Sequence, residues 1–180
     1  MAVQNLKSFK FKIYNLGFTL IELIVVMAIV SSIAALVLAH YRSGEQVSDL
    51  QTYSQKIANV LKQAQSLALS GEEIAGGRPN GYGVYFPDAS TYILFADTNG
   101  NNNWNSTDST IQSFTLPERL IIDTISGSLP ASFLFRAPFA EFYLNGSRDT
   151  SNNTIVIKHT QLNRTLTIYL NGTSGQIDVR

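Results

Sequence analysis

Cysteine is absent from this 180-residue chain, tryptophan occurs once, and histidine and methionine occur twice each. Without cysteine there is no disulfide frame, no thiolate zinc or iron–sulfur site, and no thiol nucleophile. The same absence leaves the compartment open, because a cysteine-free chain folds on either side of a membrane. The two histidines, His40 and His159, lie far apart in sequence, with no serine or aspartate at a spacing that suggests a triad. Net charge is missing as well: 13 basic side chains balance 13 acidic ones, and the pI is near 6.7. That balance argues against a general nucleic-acid binder. What remains is a chain with core enough for one domain of ordinary size and with no sign of an enzyme.

The charges are placed unevenly. Residues 1–17 carry Lys7, Lys10 and Lys12 and no acid, so the rest of the chain is net acidic. Directly after this basic tip, Phe18 to Ala39 reads FTLIELIVVMAIVSSIAALVLA, with Glu22 as its one charge and no Pro or Gly. As a helix, this run reaches about 33 Å, against a hydrocarbon core of roughly 30 Å. The lysines are expected to stay cytoplasmic, which places the chain after Tyr41 on the far side. Glu22 is the anomaly, since an acid in a membrane helix costs a few kcal/mol unless it snorkels, is protonated or finds a partner.

Its neighbours sharpen that reading. A basic leader, then Gly17-Phe18-Thr19-Leu20-Ile21-Glu22 and a continuous apolar helix resemble the class III signal of type IV pilins and type II secretion pseudopilins. The resemblance implies cleavage by a prepilin peptidase between Gly17 and Phe18, with Phe18 becoming N-methylphenylalanine. It also implies that Glu22 pairs with the amino terminus of a neighbouring subunit, and two charges costly alone in lipid offset each other when paired. The competing reading is a conventional signal peptide cut after Val37-Leu38-Ala39, before His40. The apolar run is longer than the usual ~7–15 residues of such a signal, and Glu22 lies inside it.

Past His40 the pattern turns amphipathic. Leu50, Ile57 and Ala64 are spaced by seven, Tyr53, Val60 and Leu67 form a second row, and Val47, Leu61 and Ala68 widen the stripe. Gln51, Gln55, Lys56, Asn59, Lys62 and Gln63 take other positions. This spacing predicts a helix laid on a core, ending at Gly71 with Gly76-Gly77 beyond. One helix from Phe18 to about Ser70 would run about 80 Å, with Gly44 as its soft point. The stripe is too short, and its e/g positions too irregular, for an independent coiled coil.

From Arg78-Pro79-Asn80-Gly81 onward, short alternating runs predict strands over Tyr82–Phe86, Thr91–Ala96, Ile111–Leu116, Arg119–Ile125, Ser132–Arg136, Glu141–Leu144, Thr154–His159, Thr165–Leu170 and Gln176–Val179. Asn145-Gly146 and Asn171-Gly172 give the clearest tight-turn signals. The expected fold class is α+β and pilin-like: a long amino-terminal helix, transmembrane in its first half, packed on an antiparallel β domain of two sheets. The domains are expected as leader 1–17, membrane segment 18–40, amphipathic continuation 41–76 and β domain 77–180. The runs FADTNGNNNWNSTD, FLFRAPF and TLTIYLNGTSGQIDVR are similar to minor pseudopilins of the GspH/FimT type. That resemblance implies a structural subunit at or near the tip of a short filament used in protein secretion. Its partners would be other pilins or pseudopilins, the prepilin peptidase, membrane lipid and secreted cargo.

Three further features have chemistry to weigh. Asp97, Asn99, Asn101, Asn103 and Asp108 follow an EF-hand-like count and could offer oxygens to a weakly held calcium ion. Only two are carboxylates, however, Asn102 stands where glycine is usual, and an Asn-rich hairpin loop explains the run equally. Otherwise no cofactor is expected. For DNA, the carboxy-terminal segment offers only Lys158, Arg164 and Arg180, a poor phosphate footprint. Tyr82, Tyr85, Phe86, Tyr92 and Phe95 alternate as core residues do. Five N-x-S/T sequons follow from the Asn- and Thr-rich composition.

Overall fold

The computed structural model describes residues 18–75 and 77–180, and for residues 39–47 the backbone alone. The chain divides into two compact units, Met1–Arg42 and Ser43–Arg180, the division falling beside Gly44. One helix, α1 (Leu20–Ser70), contributes to both.

In the first unit α1 is apolar on every side, and Leu20–Leu38 is long enough to cross a membrane. None of that stretch is buried by the chain itself. A helix apolar all round must find its apolar surroundings elsewhere.

In the second unit α1 behaves as its periodicity predicts. Leu50, Ile57, Ala58, Val60, Leu61, Ala64 and Ala68 are buried, Tyr53 and Leu67 pack against them, and Gln51, Gln55, Lys56, Asn59, Lys62 and Gln63 face outward. Val47, expected on the same stripe, is among the residues described by backbone alone. Ser54 is also fully buried, and its hydroxyl donates to the Leu50 carbonyl at 2.7 Å. The helix closes on Gly71, which sits at φ +61, with the Glu72 amide reaching back to the Leu67 carbonyl. This is the left-handed closure that glycine makes cheap.

Ten strands follow: β1 (Gly81–Phe86), β2 (Thr91–Asp97), β3 (Ser109–Thr115), β4 (Leu120–Ile125), β5 (Ala131–Arg136), β6 (Glu141–Leu144), β7 (Ser147–Arg148), β8 (Asn152–His159), β9 (Arg164–Asn171) and β10 (Ile177–Val179). They form two sheets, ordered β3-β2-β1-β5-β6-β7 and β10-β9-β8-β4, with every pairing antiparallel. One core joins the α1 stripe to Tyr82, Val84, Phe86, Tyr92, Leu94, Phe133, Phe135 and Phe142 of the first sheet and to Leu120, Ile122, Ile155, Ile157, Ile168 and Leu170 of the second. Each such side chain contributes roughly 1.5–3 kcal/mol by leaving water. The arrangement is the expected α+β, pilin-like one.

The first sheet is apolar on its other face too. Register places Phe95, Gly83, Leu134 and Tyr143 in one row across β2, β1, β5 and β6. Phe95, Leu134 and Tyr143 form a second small cluster covered by Tyr85 and Trp104. Gly83 makes room for it: a Cβ there would lie 2.7 Å from both the Phe133 carbonyl oxygen and the Phe95 ring.

Several strand ends differ from the expected bounds by one or two residues, and four local details are informative. The helix begins at Leu20 rather than Phe18, because Thr19 caps it. The third strand covers Ser109–Thr115 instead of Ile111–Leu116, since the Leu116 amide leaves the ladder to bond the Ser90 carbonyl. Strand β7 is too short to show a period. Asn145-Gly146 forms the expected two-residue hairpin turn, at φ 49 and 82, but Asn171-Gly172 does not. There the Asn171 side-chain oxygen receives the Thr173 and Ser174 amides, and Gly175 takes the positive φ. Gly172 is needed for closeness, because a Cβ would sit 2.3 Å from the Asp149 carbonyl oxygen.

The β1–β2 turn is held by Asp88. Its carboxylate accepts from the Thr91 and Ser90 hydroxyls at 2.7 Å and from both amides. The Thr91 hydroxyl and then the Ser90 hydroxyl and amide bring its pKa from 3.8 down to about 2. A folded-state pKa below the unfolded one gives stability that is complete above 3.8 and is lost as pH falls through about 2. Thermal unfolding of the full chain in detergent is expected to show Asp88→Asn less stable than wild type at neutral pH, with the gap narrowing as pH falls through that window.

Candidate functional site

The amino-terminal site is a helix start. Thr19 occupies the N-cap of α1 and Glu22 the third helical position. The Glu22 amide donates to Thr19 Oγ1 at 3.3 Å, while Glu22 Oε2 accepts from the Thr19 amide at 3.2 Å and its hydroxyl at 3.1 Å. This is a reciprocal capping box, which satisfies backbone donors that a helix start otherwise leaves open. Its sequence signal is T-x-x-E, Thr19 to Glu22, ahead of an apolar run. Phe18 lies immediately before the cap and is exposed. Gly17, on the other side of the expected cleavage, lies outside the described residues, as does the leader.

The second candidate group falls in one loop between β2 and β3. Asp97 ends β2, Asn99, Asn101, Asn103 and Asp108 follow in the loop, and their side-chain oxygens accept from the loop's own amides. Asp97 is fully buried and accepts from the Gly100 amide at 2.7 Å, the Asn102 amide at 2.9 Å and Asn80 Nδ2 at 3.4 Å. Asp108 accepts from the Thr98 amide at 3.1 Å and the Asn105 amide at 2.8 Å. Asn99, Asn101 and Asn103 accept from the Asn101, Asn103 and Trp104 amides. Asn102, where a calcium loop usually has glycine, adopts φ 61. Among the described residues, no group of three or more His, Cys, Asp or Glu is gathered as a metal would require.

The loop delivers Trp104, which the sequence reading left without a role. The indole stacks on Tyr85 at 5.4 Å and meets Phe95 edge-on at 5.3 Å. The Asn and Asp side chains thus fold the loop so that one aromatic ring closes the outer face of the sheet.

His159 ends β8, fully buried, with Nδ1 accepting from the Gln161 and Leu162 amides at 3.3 and 3.2 Å. Those bonds place the neutral ring's proton on Nε2 and make the residue a turn anchor. His40 lies where the backbone alone is described. Of the cations weighed for DNA, Lys158 faces Asp123 at 3.8 Å, and Arg180 pairs with Asp178 at 2.9 Å and lies over the Tyr169 ring.

With the helix start described, one comparison becomes decisive. Residues 14–38 match the family model of the prokaryotic N-terminal methylation motif. This chain carries a type IV pilin-like prepilin signal. The matched stretch spans the Gly17–Phe18 junction, the capping box and the apolar helix, and it marks a single amino-terminal membrane-anchoring segment. The motif points to a structural, pilin-like protein rather than to an enzyme, and to other pilins and the prepilin peptidase as partners. No curated protein and no solved structure gives a significant match to the chain.

For the loop, Asp97→Ala is expected to lower unfolding stability by about 2–4 kcal/mol, from lost charge-assisted hydrogen bonds. It should also red-shift the emission of Trp104, the chain's one tryptophan. Wild-type emission is expected to be the same in calcium and in EDTA; a calcium-dependent shift would make the loop a cation site.

Proposed function

We propose that this protein is a minor subunit of a type IV pilin-like filament, of the short pseudopilus kind that serves type II protein secretion, with a carboxy-terminal domain of GspH/FimT type. The prepilin signal over residues 14–38 carries the reading. The exposed apolar helix supports it, because Leu20–Leu38 has no cover of its own and is suited first to lipid and then to the helices of neighbouring subunits. The second unit adds a body whose buried Asp97, Asp108 and His159 hold its own turns.

In this reading, residues 1–17 are a leader removed between Gly17 and Phe18, and Phe18 becomes the methylated amino terminus. Residues 18–40 form the anchor, 41–76 continue the helix, and 77–180 form a domain held outside the cytoplasmic membrane, where it meets other subunits and secreted cargo. Cleavage leaves a new amine one residue before the capping box. Glu22 is then the nearest carboxylate in an apolar environment, either to that amine or to the amine of a neighbour. Pairing removes two unpaired charges from lipid at once.

The mature amino-terminal peptide from host membranes is expected to begin at Phe18 and to weigh one methyl group more than its sequence. A peptide beginning at His40 would instead mean a conventionally exported β domain outside any filament, and would end the assembly reading.

Glu22→Ala is expected to leave insertion and cleavage intact and to reduce incorporation into filaments. Glu22→Gln keeps the capping box and loses the charge. Equal defects in the two variants, read by filament shearing and immunoblot, would assign the effect to charge pairing; normal incorporation of both would remove that role.

A further inference from the structure

The two sheets differ on their outer faces. The first is closed by the loop that carries Trp104. On the second, register sets exposed and half-buried side chains in rows across β8, β9 and β10. The middle row holds Thr154, Tyr169 and Asp178. To one side lie Asn152 and Asn171, with the Gln176 carbonyl bonded to the Asn171 amide. To the other side Val156 faces Thr167, whose backbone is bonded to that of Arg180. The first two rows and Arg180 line a hollow of about 330 Å³, near the lower end of the roughly 300–1,000 Å³ usual for ligand clefts.

Tyr169, in the middle of its row, is 43% exposed. Its surroundings are fixed in advance. Asp178 Oδ2 accepts from Arg180 Nε at 2.9 Å, and the guanidinium lies over the tyrosine ring at 5.8 Å. Asn171 Nδ2 donates to Asn152 Oδ1 at 2.8 Å. The hydrogen bond from Arg180, and then that from the Val179 amide, hold the Asp178 carboxyl below its ordinary range, so at neutral pH it is an acceptor. Side chains held in this way lose little freedom when a ligand arrives. Among the described residues, the Tyr169 and Thr154 hydroxyls, the Gln176 side-chain amide and the Asn152 side-chain nitrogen have no hydrogen-bond partner.

Charge and chemistry narrow the ligand. The two cations on this face each meet a carboxylate, Arg180 with Asp178 at 2.9 Å and Lys158 with Asp123 at 3.8 Å. A phosphate backbone calls for unpaired cations, and a lipid or a helix face calls for a wide apolar patch. This face offers neither. Amides, hydroxyls and one neutralised ion pair around an aromatic ring suit an uncharged ligand that is dense in hydroxyls and has an apolar face of its own. A sugar ring is such a ligand: its C–H face lies on the tyrosine, and its hydroxyls donate to a carboxylate while accepting from a guanidinium and amides.

We propose that the outer face of the second sheet binds a neutral polysaccharide chain, one sugar ring stacked on Tyr169 and its hydroxyls held by Asp178, Arg180, Asn152 and Gln176. Thr167 and Thr165 continue along β9 on the same face, which gives the chain a path beyond the hollow. The inference does not depend on assembly into a filament.

The full chain, purified in a detergent without a sugar headgroup, is titrated by calorimetry with neutral malto-, cello- and N-acetylchito-oligosaccharides and with an anionic oligogalacturonate. Saturable binding of at least one neutral series is expected, strengthening with chain length, with the anionic series weaker. Tyr169→Ala and Asp178→Asn are each expected to weaken binding about tenfold while leaving the melting temperature of the chain unchanged. Tyr169→Phe, which keeps the ring, is expected to weaken it far less. Failure of every neutral oligosaccharide to bind, or binding that survives both Tyr169→Ala and Asp178→Asn, would overturn the site. Tighter binding of the oligogalacturonate would overturn the neutral ligand. Affinity that does not grow beyond a single sugar would overturn the polysaccharide in favour of a terminal sugar such as a glycoprotein carries.

Discussion

The structure depends on one unmet demand for burial. Leu20–Leu38 is a stretch of helix that none of the described residues covers, and water is the one surrounding it cannot tolerate. Lipid meets that demand, and so does a bundle of similar helices. A chain that must pass from one to the other needs its polar groups settled in both. The capping box does this at the helix start, where Thr19 and Glu22 satisfy each other's backbone donors without help from solvent. The prepilin signal therefore reads as a physical object as well as a motif: a self-contained helix cap and an apolar shaft.

Beyond the membrane segment the same helix meets the opposite condition. From Leu50 to Ala68 one face is buried on two sheets while the other faces outward. The first sheet is then covered again on its far side by Trp104 and the loop that carries it. Asp97 and Asp108 lie at either end of the loop that carries that cover. In the fold they gather five hydrogen bonds, four of them from loop amides, and hold that cover in place. The outcome is a stiff body whose exposed features stand on fixed turns, a useful property in a protein whose reading is assembly rather than chemistry.

Much of this was legible in the residues because it follows from short-range rules. The seven-residue spacing of Leu50, Ile57 and Ala64 named the buried face of the helix, and Gly71 marked its end. Alternation placed most of the strands within one or two residues. The failures have a common cause. Asn171-Gly172 carries the signal of a two-residue turn, but its glycine answers to Asp149, more than twenty residues earlier in the chain. Strand β7 exists through pairing with β6 and has no pattern of its own. Trp104 gave no periodic signal, since its partners Tyr85 and Phe95 lie on two other strands.

By itself the sequence determined the class of molecule: a basic tip, a prokaryotic N-terminal methylation motif over residues 14–38, an apolar helix with one acid, an amphipathic continuation and a β-rich remainder. Those properties depend on residues close together in the chain, where spacing and hydrophobicity suffice. Tertiary structure alone decided how the strands divide between two sheets, that Gly83 yields its place to the Phe95 ring, and that the Asn-rich loop engages its oxygens with its own amides. These depend on contacts between residues distant in sequence, and such contacts exist only once the two sheets have closed on the helix.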